Sequence, residues 1–290
     1  MTTQSNHSLT TFPVPRRHHD GPDTAGTTAR LVALHDQLAR TDLRPGIVVD
    51  AAFGELVELC CHPPVGCTEQ VLERVAGHAD ALRSLAATGE GRMEAYWSDR
   101  ITAAPDPVAE LRRFPYLGNY HDLVRLELAA LTAAGVPAPR RVAVLGSGPL
   151  PLTGLVLAER HGAEVLHVDR DGTAAAAGDA VAEAVGIPAR SLVADLAEPL
   201  PRTVVAELGR ADVVVVGALV GDDARAKGVI TARLAAAAPH AVQLVRSAAG
   251  LRTLLYPAVA AADLPALEVL LEVHPRTDVV NSVLVARPRS

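Results

Sequence analysis

Apolar positions along the chain change their rhythm near Pro139. Before it they recur every third or fourth residue, the spacing that lines one face of a helix. Leu31, Val32, Leu34 and Leu38 mark a first helix that ends at the Thr41–Pro45 breaker. A second is expected over Ala51–Cys60, and a third carries Val71, Val75, Ala79, Leu82 and Leu85 on one face. Gly91–Ile101, which holds Trp97, and Asn119–Ala133 complete the helical stretch. Beyond Pro139 the apolar residues gather in short runs at Arg141–Leu145, Glu164–Val168, Asp212–Val216, Ala241–Val245 and Ser282–Ala286, with Ser191–Ala194 as a further candidate. Runs of this length read as buried strands. Alanine-rich helix formers, Thr173–Val185 and Ala224–Ala237, lie between them.

Strands alternating with helices predict an α/β fold, a Rossmann-type, doubly wound and mainly parallel sheet with right-handed crossovers. An N-terminal helical bundle precedes it. The expected organisation is a flexible tail over residues 1–27, a helical domain over 28–137 on the substrate side, and a Rossmann-like ligand-binding domain over 138–290.

Composition narrows the partners. The 290 residues are 49% hydrophobic and 21% charged, ordinary for a soluble globular enzyme. A net charge of −6 disfavours nucleic acid, whose phosphates need a basic surface. No apolar run has the length of a bilayer span, and the N-terminus has no apolar signal core. The expectation is a cytoplasmic protein acting on a small-molecule substrate, with no nucleic acid, no membrane and at most a second copy of itself in a homodimer. Cys60, Cys61 and Cys67, beside His62, match no standard zinc spacing. They read as buried thiols next to the Pro63-Pro64 turn, and no metal is expected.

The strand Arg141–Leu145 runs into Gly146-Ser147-Gly148-Pro149-Leu150-Pro151-Leu152-Thr153, at the carboxyl edge where α/β sheets bind ligands. Two glycines let the backbone approach a ligand closely. Two prolines, which have no N–H, make a poor phosphate cradle. A nucleoside without phosphates suits the loop better, and S-adenosylmethionine is one. Asp169 ends the next strand, 23 residues after Gly146, placed to accept from ribose hydroxyls or to cap the helix before Thr173. Asp195 is placed to reach an adenine amino group or to hold the turn before Pro199.

GSGPLPLT at Gly146–Thr153 resembles the signature of the nicotianamine synthase family. FPYLGNY at Phe114–Tyr120, ALVG at Ala218–Gly221, VRS at Val245–Ser247, Tyr256-Pro257 and HPRTDVVNSV at His274–Val283 extend the resemblance, as do FGELV at Phe53–Val57 and GRMEAYWS at Gly91–Ser98. It spans roughly residues 28–288. The resemblance implies a helical domain over a class I methyltransferase-like domain that holds S-adenosylmethionine as substrate. It also implies transfer of a 3-amino-3-carboxypropyl group to an amine with release of methylthioadenosine, or self-cyclisation of the donor to azetidine-2-carboxylate. Gly146, Ser147, Gly148, Pro149, Leu150, Thr153, Asp169, Asp195 and Ala218 are then the donor-binding residues. A plain methyltransferase and a non-catalytic nucleoside or metallophore binder are the competing readings.

Attack by an amine on the carbon beside a sulfonium needs a proton acceptor and an in-line approach. Glu90 and Glu94, at i and i+4 on a predicted helix, share one face. The resemblance places them on the substrate side, with Tyr116 and Tyr120 following in the FPYLGNY motif. Glu90 and Tyr116 are the expected catalytic pair, with Glu94 and Tyr120 behind them. Arg246 is expected either to hold a substrate carboxylate or to form an ion pair with Asp222 or Asp223. Asn281 either orients a substrate carboxylate or caps a turn, and His274 is either catalytic or structural. Family members commonly read FPYYNNY or FPYYSNY where this chain has Leu117 and Gly118. The lost tyrosine hydroxyl predicts a smaller, drier pocket suited to a single transfer or to self-cyclisation.

Overall fold

A computed structural model describes residues 22–221 and 223–289. Six helices come first: α1 (Pro22–Leu38), α2 (Ile47–Cys61), α3 (Thr68–Val75), α4 (Ala79–Ala103), α5 (Pro107–Leu111) and α6 (Leu117–Ala133). The alternating part follows as β1 (Arg141–Leu145), α7 (Leu152–His161), β2 (Glu164–Asp169), α8 (Gly172–Ala184), β3 (Arg190–Val193), α9 (Arg202–Leu208), β4 (Val213–Val216), α10 (Ala224–Ala237), β5 (Val242–Ser247), β6 (Leu267–Val273) and β7 (Ser282–Pro288).

The structure departs from the sequence expectations at several points. Helix α1 begins at Pro22, inside the expected tail, because proline suits a first helical position. The rest of that tail, residues 1–21, lies outside the described residues. The expected third helix is two, since a 3-10 turn at Ala76–His78 separates α3 from α4. Its apolar spacing continues across the turn, so periodicity alone conceals the break. Helix α4 then runs on through the segment expected to be a separate helix from Gly91. Gly89, inside it, lets the Phe53 ring of α2 lie against the helix, where an added Cβ would stand 2.3 Å from the ring.

The seven strands are ordered β3-β2-β1-β4-β5-β7-β6. Pairing is parallel from β3 to β5, and β7 is antiparallel to both its neighbours. The sequence reading missed β6, which is only partly buried and so lacks the continuous apolar run of the inner strands. Val142, Val144, Val213 and Val215 face Leu123, Val124 and Leu131 of α6. Ala143, Leu145, Val214 and Val216 face Ile230 and Leu234 of α10. The order reverses between β1 and β4, opening a crevice beyond their carboxyl ends.

The helical portion does not close its core alone. Leu31, Leu34, Leu56, Val71 and Leu82 pack with Leu251, Leu254 and Leu255, which follow β5. Helix α4 also lies along α8, where Ser98 Oγ donates to the Ala177 carbonyl at 3.5 Å.

Candidate active site

Above the crevice, α2, α4 and α6 enclose with the strand ends a cavity of about 1270 Å³. One wall is the loop from Gly146 to Thr153. Gly146 and Gly148 adopt φ of +70° and +66°, a region side chains disfavour. Asp169, at the end of β2, accepts the Gly148 N–H on Oδ2 at 2.8 Å and the Asp171 N–H on Oδ1 at 3.0 Å. Each carboxylate oxygen keeps a lone pair for a further donor. Asp171, not Asp169, caps α8 through the Thr173 and Ala174 N–H groups. Asp195 accepts the Ala197 N–H at 2.8 Å, so it holds its turn and also borders the cavity. Ser147, Pro149, Leu150, Thr153 and Ala218 border it too.

The facing wall carries Glu90 and Glu94, one turn apart on α4. Tyr256 Oη donates to Glu90 Oε2 at 2.9 Å, and Tyr120 Oη to Glu94 Oε1 at 3.3 Å. The partner of Glu90 is therefore Tyr256 and not Tyr116, whose ring borders the cavity and packs against Phe114. Tyr256 stands 166 residues from Glu90, beyond any spacing rule, and only its place in a matched motif flagged it. Glu94 also reaches the wall formed by the glycine loop, since a Cβ on Gly148 would lie 2.5 Å from its Oε2.

Enclosure sets the charges. Burial raises the pKa of Glu90, while the Tyr256 hydrogen bond and the Arg246 charge favour its anion. Glu94 is held well above the usual carboxylate range, first by burial and then by the neighbouring charges of Glu90 and Asp169. Burial and the neighbouring carboxylates therefore favour a proton on Glu94. Burial and the adjacent carboxylates keep the Tyr120 and Tyr256 hydroxyls protonated.

Arg246, at the end of β5, is buried with Nε on Glu127 Oε1 at 2.7 Å and Nη2 on Thr153 Oγ1 at 2.8 Å. Burial disfavours its charge, but Glu127 outweighs that and raises its pKa. Of the two acids offered as alternative partners, Asp223 does not pair with Arg246. Asp223 caps α10 through the Ala226 N–H at 2.7 Å, and residue 222 lies outside the described residues. Glu127 escaped the sequence reading because it sits among the apolar positions of α6. Asn281 borders the cavity at 8% exposure, with Nδ2 unpartnered among the described residues. His274 faces elsewhere and pairs with Ser282 Oγ at 2.9 Å.

Lys227 is a second residue the sequence reading missed, hidden in an alanine-rich helix. Fully buried, its Nζ donates to the carbonyls of Gly217 at 2.9 Å, Ala218 at 2.7 Å and Arg246 at 3.3 Å. It ties the end of β4 to the end of β5. Burial pulls its pKa down to about 7.

Leu117 turns away from the cavity into a cluster with Met93, Trp97 and Phe114, whereas Gly118 borders the cavity. The cavity exceeds the roughly 300–1,000 Å³ typical of a pocket for one drug-sized ligand. The residue at 117 acts on packing behind the wall and not on the cavity's lining. Cys60, Cys61 and Cys67 are buried and form no disulfide among the described residues.

Comparison with known proteins places this geometry. A family model described as "Nicotianamine synthase protein" matches residues 23–290. Nicotianamine synthase 1 of Oryza sativa subsp. indica is 37% identical over 278 residues, covering 91% of this chain and 82% of the relative. Probable nicotianamine synthase 3 of Hordeum vulgare is 37% identical over 281 residues, covering 93% and 82%. The crystal structure of MtNAS in complex with MTA and tNA superposes with a TM-score of 0.78 at 20% identity, over 92% of this chain and 98% of that one.

Proposed function

This chain belongs to the nicotianamine synthase family, and from that premise we propose that it transfers the 3-amino-3-carboxypropyl group of S-adenosylmethionine to an amine, releasing methylthioadenosine. One observation carries the reading: two carboxylate–tyrosine couples face the glycine loop and Asp169 across a cavity larger than one ligand needs. The donor's ribose hydroxyls meet the free lone pairs of Asp169, and its adenine lies toward Asp195 and Ala218. The acceptor amine lies by α4.

In the proposed step the amine nitrogen bonds to the γ-carbon, the carbon–sulfur bond breaks, and its electron pair returns to sulfur to give a neutral thioether. The amine proton passes to Glu90, whose pKa burial raises and whose anion the Tyr256 hydrogen bond and the Arg246 charge favour. Glu94 is the protonated partner, donating toward the donor's polar arm. The unpartnered Asn281 amide and the remaining donors of Arg246 hold a substrate carboxylate. Tyr116 borders the acceptor space. Room for two ligands favours a separate acceptor over self-cyclisation. With its adjacent cysteines free, the enzyme is proposed to work in the cytoplasm, as a monomer or a homodimer.

The test is incubation with S-adenosylmethionine, alone and with amino acids, followed by mass spectrometry. Methylthioadenosine with an aminocarboxypropyl adduct is expected, and Glu90→Gln lowers its rate about 10²–10⁴-fold. S-adenosylhomocysteine in its place would overturn the reading.

A further inference from the structure

A second cavity, of about 330 Å³, lies among the end of α2, the start of α3, the 3-10 turn at Gly250–Leu254 and the β6–β7 connection. Its ionisable lining is Cys60, Cys61, Arg252, His274 and Arg276, with no carboxylate among them. Arg252 is the informative member. It is as deeply buried as Arg246, at 9% exposure against 8%. Arg246 has Glu127, whereas Arg252 has only neutral acceptors. Its Nη2 donates to the carbonyls of Cys61 at 3.2 Å and Thr277 at 2.7 Å. Its Nε–H has no partner among the described residues.

A guanidinium carries five donors and a fixed positive charge, and burying it without an anion is costly. Asp278 pairs with His62 at 2.7 Å and Glu272 with His274 Nε2 at 3.5 Å. The first turn of α3 supplies a further positive element. Thr68, its first residue, lines the cavity.

We propose that this cavity binds a small oxyanion, a carboxylate or a phosphate, in the fork of Arg252, with Arg276 closing over it and the first turn of α3 beneath. The cavity lies apart from the donor and acceptor residues, with Cys61 bordering both. It is nevertheless joined to them by one stretch of chain. The β6–β7 connection gives Arg276 to this cavity and Asp278, Val280 and Asn281 to the larger one. Arg252 holds that connection through Thr277, and Asn119 holds it from the other side by donating to the Asp278 carbonyl at 2.7 Å. An anion on Arg252 therefore braces the wall that presents Asn281 to the substrate.

The test is isothermal titration of the full chain with inorganic phosphate and, separately, with succinate, at ionic strength fixed by chloride. One of the two is expected to bind saturably at a single site, and which one identifies the source of the oxyanion. Arg276→Ala, at an exposed position, is expected to weaken binding about tenfold or more. Arg252→Lys, which keeps the charge and loses the fork, weakens it too. The proposal is overturned if neither anion saturates, or if both variants bind as the parent does, which would put the anion elsewhere. A stabilisation that rises without saturation, the general effect of excluded salts, also counts against it.

Discussion

His167 offers a direct test of how burial governs charge in this fold. It sits mid-strand in β2 with no exposed surface, and neither ring nitrogen has a partner among the described residues. The ring fills the space over α7 that Gly154 leaves open, where an added Cβ would stand 1.9 Å from Nε2. Burial drives its pKa from 6.5 to about 4, and Asp179 offsets this only in part. Between those values the unfolded chain takes up a proton that the folded chain refuses, so stability falls as pH falls. The loss is about 2 kcal/mol by pH 5 and about 3 kcal/mol by pH 4. Leucine at this position has nothing to titrate. Urea unfolding, followed by the single Trp97, measures both proteins from pH 7.5 to 5. The stability of His167→Leu relative to the parent is expected to be flat above pH 7 and to rise by about 2 kcal/mol at pH 5. A difference that does not change with pH would refute the reasoning.

Three further outcomes are expected. Because the Glu94 pKa is raised, its ionisation opposes folding as pH rises; Glu94→Gln therefore gains Tm over the parent at pH 8 and not at pH 4, and an equal gain at both would exclude a charge effect. Gly148→Ala strains a residue at φ +66° by about 1–2 kcal/mol and crowds Glu94, so the KM for S-adenosylmethionine rises at least tenfold, whereas an unchanged KM would detach the loop from the donor. Leu117→Tyr leaves the product spectrum as it was. Gly118→Asn, which enters open space beside the cavity, alters it, and mass spectrometry showing the reverse would overturn the placement of both residues.

The sheet was legible because strands buried on both faces are short, apolar and flanked by turns. Arg141–Leu145 and Ser282–Ala286 needed no other cue, while β6, half exposed at an edge, gave none. Glu90 and Glu94 were legible as a helical pair. Their tyrosines sorted differently from expectation because hydrogen-bond partners are chosen by packing across the chain, as Tyr256 shows. Arg246 stood out at a strand end, but its acid did not. Glu127 looks like one more position on α6 until the sheet beneath it is seen. Lys227 and Arg252 were invisible for a related reason: a lone charged side chain reads as solvent-facing, and only tertiary burial reverses that.

The leucines after β5 that complete the helical core have a consequence for synthesis. Leu251, Leu254 and Leu255 leave the ribosome roughly 170 residues after Leu82, a delay of about 10–35 s at 5–20 residues per second. Throughout that interval α1 to α4 lack part of the surface against which they pack. The nascent chain must carry an uncovered apolar face while the sheet is being made. Its first hundred residues, released alone, are expected to aggregate or to occupy a chaperone. The carboxylates on α4 proposed to be catalytic thus take their final positions among the last events of folding, when the segment bearing Tyr256 arrives.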